Sequence, residues 1–232
     1  MYKHWDEWVE TIPHIFIAPV GGEAITGGKD ILEGEPYEAP TKPFGGAEEL
    51  SWSPDGKTIY LKEFNRKQNE MSLDAYDAVT GDKRATLYTE RHEKYITSYT
   101  SVAFLPWDAD KFILQSQKDG YNHLYLFNTK GEMLRQLTSG NFVVYDLLGF
   151  DKARKRAIIL SAESSPIQSN LYAVDIATGK RTLLDNGRGV HANIVSPSGF
   201  HDRALSPDGG WIIDNYAEPT VPRNVDFINL KT

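Results

Sequence analysis

The sequence has no cysteine, which excludes disulfides and thiolate metal sites and leaves oxidising and reducing compartments equally open. It has no apolar run near the roughly 20 residues that a membrane-spanning helix needs. The opening Met1-Tyr2-Lys3-His4-Trp5-Asp6 is charged and aromatic, without the apolar stretch of a secretory leader. The expectation is a cytosolic chain, or one from which a targeting segment has been removed. Basic residues are in deficit: 25 Lys and Arg stand against 32 Asp and Glu, for a net charge of −7. A surface that tracks phosphates needs the opposite balance, so nucleic acid is not expected as a partner. The negative charge reads as a solubility feature. Helical periodicity is missing too, because no long stretch carries apolar residues at three- and four-residue spacing.

What is present points to strands. Apolar residues make up 40% of the chain and aromatics 12%, well above what a disordered composition carries. The 12 Tyr and 10 Phe suit a pleated surface. The 19 Gly and 12 Pro are spread along the chain and announce many tight turns.

Two units recur. The first is an aromatic-apolar strand, a turn at Thr-Gly or Lys-Gly, and a second strand. It reads Leu124-Tyr125-Leu126-Phe127-Asn128-Thr129-Lys130-Gly131, again Leu171-Tyr172-Ala173-Val174-Asp175-Ile176-Ala177-Thr178-Gly179, and again Ala75-Tyr76-Asp77-Ala78-Val79-Thr80-Gly81. Looser copies are His14-Ile15-Phe16-Ile17 before Gly21-Gly22, and Asp226-Phe227-Ile228-Asn229-Leu230. The second unit is a hairpin, Trp52-Ser53-Pro54-Asp55-Gly56-Lys57, echoed by Leu205-Ser206-Pro207-Asp208-Gly209-Gly210 and, more loosely, around Pro106 and Lys152. Its turn chemistry is explicit: Pro presets the first dihedral, Asp bonds back to the backbone, and Gly accepts positive φ.

The units alternate, with Tyr76 and Tyr125 separated by 49 residues and Tyr125 and Tyr172 by 47. A period near 50 with four strands per period is propeller spacing. The expected fold is all-β, a β-propeller of four-stranded antiparallel blades, about four to five in number and incomplete. It is read as a single propeller domain or fragment over 1–232. Residues 1–35 form a partial blade, and 45–90, 95–140, 142–187 and 190–232 form blades. The C-terminal segment stops where an outer hairpin should continue, so the chain is expected to be a cut piece.

Several segments carry a resemblance. They include Asn65-Arg66-Lys67-Gln68-Asn69-Glu70-Met71, Lys94-Tyr95-Ile96, Lys118-Asp119-Gly120-Tyr121-Asn122-His123-Leu124-Tyr125 and Gln136-Leu137-Thr138-Ser139-Gly140. Further on are Asn170-Leu171-Tyr172, Gly189-Val190-His191-Ala192 and Ile213-Asp214-Asn215-Tyr216 with Pro222. From about Phe64 onward these resemble the propeller of dipeptidyl-peptidase-IV-like enzymes of the prolyl-oligopeptidase group. Residues 1–60, with Lys3-His4-Trp5-Asp6-Glu7-Trp8, Gly45-Gly46 and Trp52-Ser53-Pro54-Asp55-Gly56, resemble acylaminoacyl-peptidase-type propellers instead. The two resemblances meet near Tyr60–Asn65, which reads as two related propellers joined inside a blade.

Enzymes of this group carry their triad on a separate α/β-hydrolase domain, with the nucleophile in Gly-x-Ser-x-Gly. That motif does not occur here, nor does βαβ alternation, so no catalytic residue and no hydrolase domain is expected. Ser53, Ser196 and Ser206 precede Pro in hairpin turns, where the hydroxyl bonds the local backbone. The resemblance also implies a glutamate pair that grips a substrate's amino terminus. Glu48-Glu49 is the adjacent pair available, but its neighbours do not match, so both are expected as solvated carboxylates leading into a strand. Thr89-Glu90-Arg91-His92-Glu93 is expected as a charged loop between blades, and Lys152, Arg154, Lys155 and Arg156 as a solvated turn. The six histidines have no metal-ligand spacing. His123 is expected to bond within its blade, and His191 and His201 to be structural.

The resemblance implies the accessory propeller of a serine exopeptidase, a funnel and size filter for an enzyme that removes X-Pro and X-Ala dipeptides from peptide N-termini. It implies peptides or a peptidase catalytic domain as partners, no cofactor, and an extracytoplasmic (periplasmic) bacterial location. Association into a homo-oligomer is a further expectation. The alternatives are a stand-alone TolB-type propeller acting as an interaction module, and a five-bladed carbohydrate-processing propeller, which needs paired acids that the chain does not single out.

Overall fold

Residues 53–58 and 206–211 close one turn in one way. Ser53 Oγ accepts the backbone N–H of Lys57 at 3.1 Å and of Thr58 at 2.9 Å, and donates to Asp55 Oδ1 at 2.6 Å. Ser206 does the same with Gly210 (3.1 Å), Trp211 (3.0 Å) and Asp208 (2.6 Å). Gly56 and Gly209 take the left-handed conformation at φ +70° and +67°, where a Cβ is strained. A Cβ on Gly56 would meet open space, whereas one on Gly209 would sit 2.5 Å from the Phe150 carbonyl. Gly56→Ala is therefore expected to cost about 1 kcal/mol and Gly209→Ala at least about twice that in urea unfolding. Equal costs would show that the neighbouring strand gives way.

The computed structural model describes residues 2–4, 7–20, 27–41, 45–97, 100–191 and 205–231. Two short hairpins come first, β1 (Tyr2–His4) with β2 (Glu7–Val9) and β3 (Phe16–Ile17) with β4 (Lys29–Asp30). A single 3-10 turn over Ala47–Glu49 leads into an antiparallel sheet of β5 (Leu50–Trp52), β6 (Thr58–Phe64), β7 (Glu70–Asp77) and β8 (Lys83–Arg91). The second sheet is β9 (Ala103–Leu105), β10 (Asp108–Ser116), β11 (His123–Asn128) and β12 (Met133–Gln136). The third, again antiparallel, is β13 (Val144–Asp151), β14 (Arg156–Ser161), β15 (Asn170–Asp175) and β16 (Arg181–Leu183). A long hairpin of β17 (Trp211–Glu218) and β18 (Val221–Asn229) follows. In each four-stranded sheet the spatial order is the chain order, a meander built from hairpins.

The chain forms two compact units, one of Met1–Phe104, Ala109–Lys118 and Phe127–Met133, the other of Leu105–Asp108, Asp119–Leu126 and Leu134–Thr232. In the first, Ile59, Leu61 and Tyr76 on one face of the β5–β8 sheet are covered by Ile31, Leu32 and Ala39. On the opposite face Tyr60 packs against Phe104 and Phe112, with ring centroids 5.3 and 5.9 Å away, and Phe112 stacks on Phe127 at 5.8 Å. Strand β6 is thus buried on both faces, which is why its sequence shows no polar alternation. In the second unit Leu148, Ile158, Leu160 and Leu171 of the third sheet pack against Ile212 and Leu230, with Leu205 and Ile228 at the margin. Full burial of each such side chain stabilises by roughly 2 kcal/mol.

Candidate functional site

The most perturbed charges lie in the first unit, on the face of β6 that also carries Tyr60. Lys62 stands opposite the buried Leu73 of β7 in register and follows the buried Leu61 on its own strand. It is itself fully buried. Burial pulls its ammonium down to about 7, against the fields of Glu90 and Glu49, which favour the charged form. Glu90, on β8, is 3% exposed and accepts from Ser116 Oγ at 2.5 Å. Glu49 closes the 3-10 turn at 2% exposure and accepts the Thr41 backbone N–H at 2.9 Å. Burial pushes its carboxyl up to about 7, a rise that the Thr41 bond only partly opposes. Its carboxylate fills the space that a side chain on Gly45 would need. The second oxygen of Glu49 and of Glu90 has no hydrogen-bond partner among the described residues.

The opposite face of the same sheet carries a second group. Glu63 is likewise pushed up to about 7 by burial, with the Tyr76 hydroxyl bond opposing the rise. Asp74 accepts from Thr86 Oγ1 and from Ser72 Oγ (2.6 Å), and pairs with Lys83 at 3.0 Å.

The third group is in the second unit. His191 Nδ1 lies 2.6 Å from Asp214 Oδ2 and 3.6 Å from Asp185 Oδ2, and Nε2 lies 2.6 Å from the Arg188 carbonyl. Its ring stacks on Tyr216 at 4.9 Å. Asp185 is held by Asn170 Nδ2 (3.1 Å) and the backbone N–H of Leu171 (2.6 Å) and Gly187 (2.8 Å). Burial alone would lower the His191 pKa, but the Asp214 bond and the fields of both aspartates raise it. Every polar atom of the ring is engaged inside the fold, so the cluster ties β17 to the segment before it.

The hydroxyls of Ser53 and Ser206 are committed to their turns, as above. Ser196, His201 and Ala192 lie outside the described residues, as do Trp5 and Asp6. His123 bonds Thr138 Oγ1 at 3.1 Å and the Gly140 carbonyl at 3.0 Å, and burial lowers its pKa.

Three expectations need correction. Glu48 is exposed but Glu49 is not solvated, because the 3-10 turn rotates it under the chain at Thr41. Residues 89–91 are the end of strand β8 and not a loop, and strand alternation turns Glu90 inward. The basic turn is solvated at Lys152, Arg154 and Lys155 and half-buried at Arg156. Arg154 donates to the carbonyls of Leu230 and Lys231, and Arg156 pairs with Asp151 at 2.6 Å. Sequence reasoning missed Lys62 altogether, although a lysine inside the run Ile59-Tyr60-Leu61-Lys62-Glu63-Phe64 was a signal.

None of these groups presents a free nucleophile beside a base. Among the described residues no three His, Asp or Glu side chains are placed to hold a metal ion. A pocket of about 290 Å³ lined by Ile17, Ala18, Pro19, Lys29 and Val79 has one charged wall. That residue, Lys29, is committed to Asp82 Oδ1 at 2.8 Å and to the Thr80 carbonyl. No helix is long and apolar enough to cross a membrane among the described residues.

Comparison with known proteins assigns the fold. Over 199 residues the chain is 71% identical to dipeptidyl-peptidase 5 of Porphyromonas gingivalis, covering 83% of this chain and 29% of that protein. It is 29% identical over 239 residues to dipeptidyl-peptidase 5 of Porphyromonas endodontalis, covering 79% and 33%. The crystal structure of a protein described as a dipeptidyl aminopeptidase IV, from Bacteroides ovatus, matches with a TM-score of 0.65 at 33% identity, over 79% of this chain and 27% of that one. Porphyromonas gingivalis dipeptidyl peptidase 4 matches in fold with a TM-score of 0.68 at 20% identity, over 95% and 32%. The chain spans about a third or less of the length of these relatives. Its four-stranded meanders are blades of a β-propeller, and residues 46–223 match the dipeptidyl peptidase IV (DPP IV) N-terminal region. With that match running across most of its length, the chain belongs to the dipeptidyl peptidase IV N-terminal region family.

Proposed function

We propose that this chain is the accessory, substrate-gating propeller of a dipeptidyl-peptidase-IV-like serine exopeptidase that removes X-Pro and X-Ala dipeptides from peptide N-termini. The observation that carries the reading is the family match over residues 46–223 in a chain without Gly-x-Ser-x-Gly. Its blades, at 45–90, 95–140, 142–187 and 190–232, would admit short peptides to an α/β-hydrolase domain, the direct partner. The setting is extracytoplasmic. The buried charges described above hold blades together and leave the chemistry to the hydrolase domain.

The purified chain is expected to release no chromophore from a Gly-Pro-p-nitroanilide above the buffer rate, and any turnover that survives repurification would sink the reading. In the whole peptidase, the ratio of kcat/KM for a dipeptide anilide over that for a 30-residue peptide should drop when the propeller is excised. An unchanged ratio would remove the gating role while leaving the family assignment standing.

A further inference from the structure

The segment after β16 carries the one Asn-Gly step in the sequence, Asn186-Gly187. Asn186 is exposed, and Gly187 stands at φ +73° with no Cβ to hinder its amide nitrogen. Such a step has a reaction of its own. The glycine nitrogen attacks the asparagine side-chain carbon, ammonia leaves, and a cyclic succinimide closes. Its rate depends on what takes the proton from that nitrogen and on what holds the charge that develops on the side-chain oxygen.

Both groups are in place. The Gly187 N–H donates to Asp185 Oδ1 at 2.8 Å, so the nitrogen that must lose a proton already shares it with a carboxylate. That carboxylate is fixed, because Asn170 Nδ2 and the Leu171 N–H donate to it at 3.1 and 2.6 Å. The Arg188 N–H donates to Asn186 Oδ1 at 2.8 Å, on the oxygen where negative charge develops. The Asp-Gly steps of the two Ser-Pro-Asp-Gly turns are built otherwise. There the Gly56 N–H donates to the Ser53 carbonyl at 2.9 Å and the Gly209 N–H to the Ser206 carbonyl at 2.8 Å, and a carbonyl is a far weaker base. The Ser53 and Ser206 hydroxyls also hold the Asp55 and Asp208 carboxyls below the usual carboxylate range, and an ionised carboxylate resists attack.

We propose that Asn186 is a self-modification site, where Asp185 and the Arg188 N–H promote closure of a succinimide that water opens to aspartate or isoaspartate. The Gly187 nitrogen gives its proton to Asp185 Oδ1 and forms a bond to Asn186 Cγ. The Cγ–Nδ2 bond breaks, and Nδ2 leaves as ammonia with the proton that Asp185 returns. Water then cleaves the imide. Cleavage at the main-chain carbonyl of residue 186 routes the chain through Cγ and adds a carbon to the backbone. The Arg188 carbonyl, 2.6 Å from His191 Nε2, lies just beyond, so isoaspartate draws it off the ring and loosens the tie to β17.

The test ages the full chain at pH 7 beside a synthetic peptide of residues 182–188. Mass spectrometry of the digested chain follows deamidation, and enzymatic methyl labelling follows isoaspartate. The folded chain is expected to react at least about tenfold faster than the peptide. Asn186→Gln, which would have to close a larger ring, should not react. Asp55→Asn puts an exposed Asn-Gly step into a turn that keeps the donor to the side-chain oxygen, the Lys57 N–H at 3.1 Å, but offers Gly56 a carbonyl in place of a carboxylate. It is expected to react at about the peptide rate. The proposal is overturned if Asn186 reacts no faster in the chain than in the peptide, or if Asp55→Asn reacts as fast as Asn186. The peptide comparison stands whether or not Asp55→Asn folds. The isoaspartate form, separated by anion exchange, should unfold at lower urea than the unreacted chain, and an equal midpoint would overturn the loosening of β17.

Discussion

Lys62→Ala is expected to destabilise the first unit by about 3–5 kcal/mol at neutral pH. The ammonium is the counter-charge that Glu49 and Glu90 share inside the sheet seam, and both carboxylates already have one oxygen without a hydrogen-bond partner among the described residues. Truncation leaves two buried acids, with Glu90 opposite Met71 on β7, and their cation gone. Removing one member of a buried charged group costs about 3–5 kcal/mol, against total stabilities of about 5–15 kcal/mol for a domain. Replacing the whole group is a different experiment. Lys62→Met combined with Glu49→Gln and Glu90→Gln removes every charge while keeping the volumes, and should recover most of the loss. Urea unfolding of the single and triple variants at pH 7 decides the matter. A single variant within about 1 kcal/mol of the parent would mean that water reaches the cluster and screens it.

The same cluster has a pH signature. Folded Glu49 keeps its proton up to about pH 7, whereas an unfolded glutamate gives it up near 4.5. Folding therefore takes up a proton between those values, and the Glu49 contribution falls as pH rises through that window. Lys62 acts in the opposite sense. Its folded value lies near 7 against 10.5 unfolded, so its contribution rises as pH climbs from about 7 towards 10.5. The cluster is least favourable near neutrality, where the loss of Lys62 should also be most damaging. Acidification should partly rescue Lys62→Ala, because a protonated Glu49 needs no cation.

The turns were legible in the sequence and the buried charges were not, and the difference is one of range. Each Ser-Pro-Asp-Gly turn is completed by atoms within five residues, so its chemistry can be read from a short string. The spacing from Tyr76 to Tyr125 to Tyr172 likewise places three strands in three successive sheets. Glu90 reads as loop because it follows the short strand run Ala85-Thr86-Leu87, and the group that bonds its carboxylate once β8 turns it inward is Ser116, on the next sheet. Glu49 reads as solvated because the segment that covers it, at Thr41, has no strand pattern of its own. Polar residues at buried positions are settled by partners far along the chain, and single-sequence patterns carry no information about those partners.

Replacing His191 should cost the second unit nearly as much, with a pH dependence that identifies the cause. The ring lies between two acceptors, Asp214 Oδ2 and the Arg188 carbonyl, each at 2.6 Å. A neutral imidazole has one N–H, so only the imidazolium can donate to both. The charge also answers Asp185, 3.6 Å away, and all three side chains are nearly inaccessible to solvent. His191→Ala leaves two buried aspartates facing a void beside Tyr216, and about 3 kcal/mol of destabilisation is expected. The folded pKa is raised above the ordinary 6.5, so the charge contribution is complete below about pH 6.5 and is lost as pH rises through the folded value. The stability difference between parent and His191→Asn should accordingly be largest near pH 6 and shrink by pH 9. Taking the difference cancels the titrations of Glu49, Glu63 and Lys62 in the other unit. Urea unfolding at pH 6, 7, 8 and 9 measures it directly. A difference that stays flat across that range would mean that His191 is neutral and holds β17 by shape and stacking on Tyr216 alone.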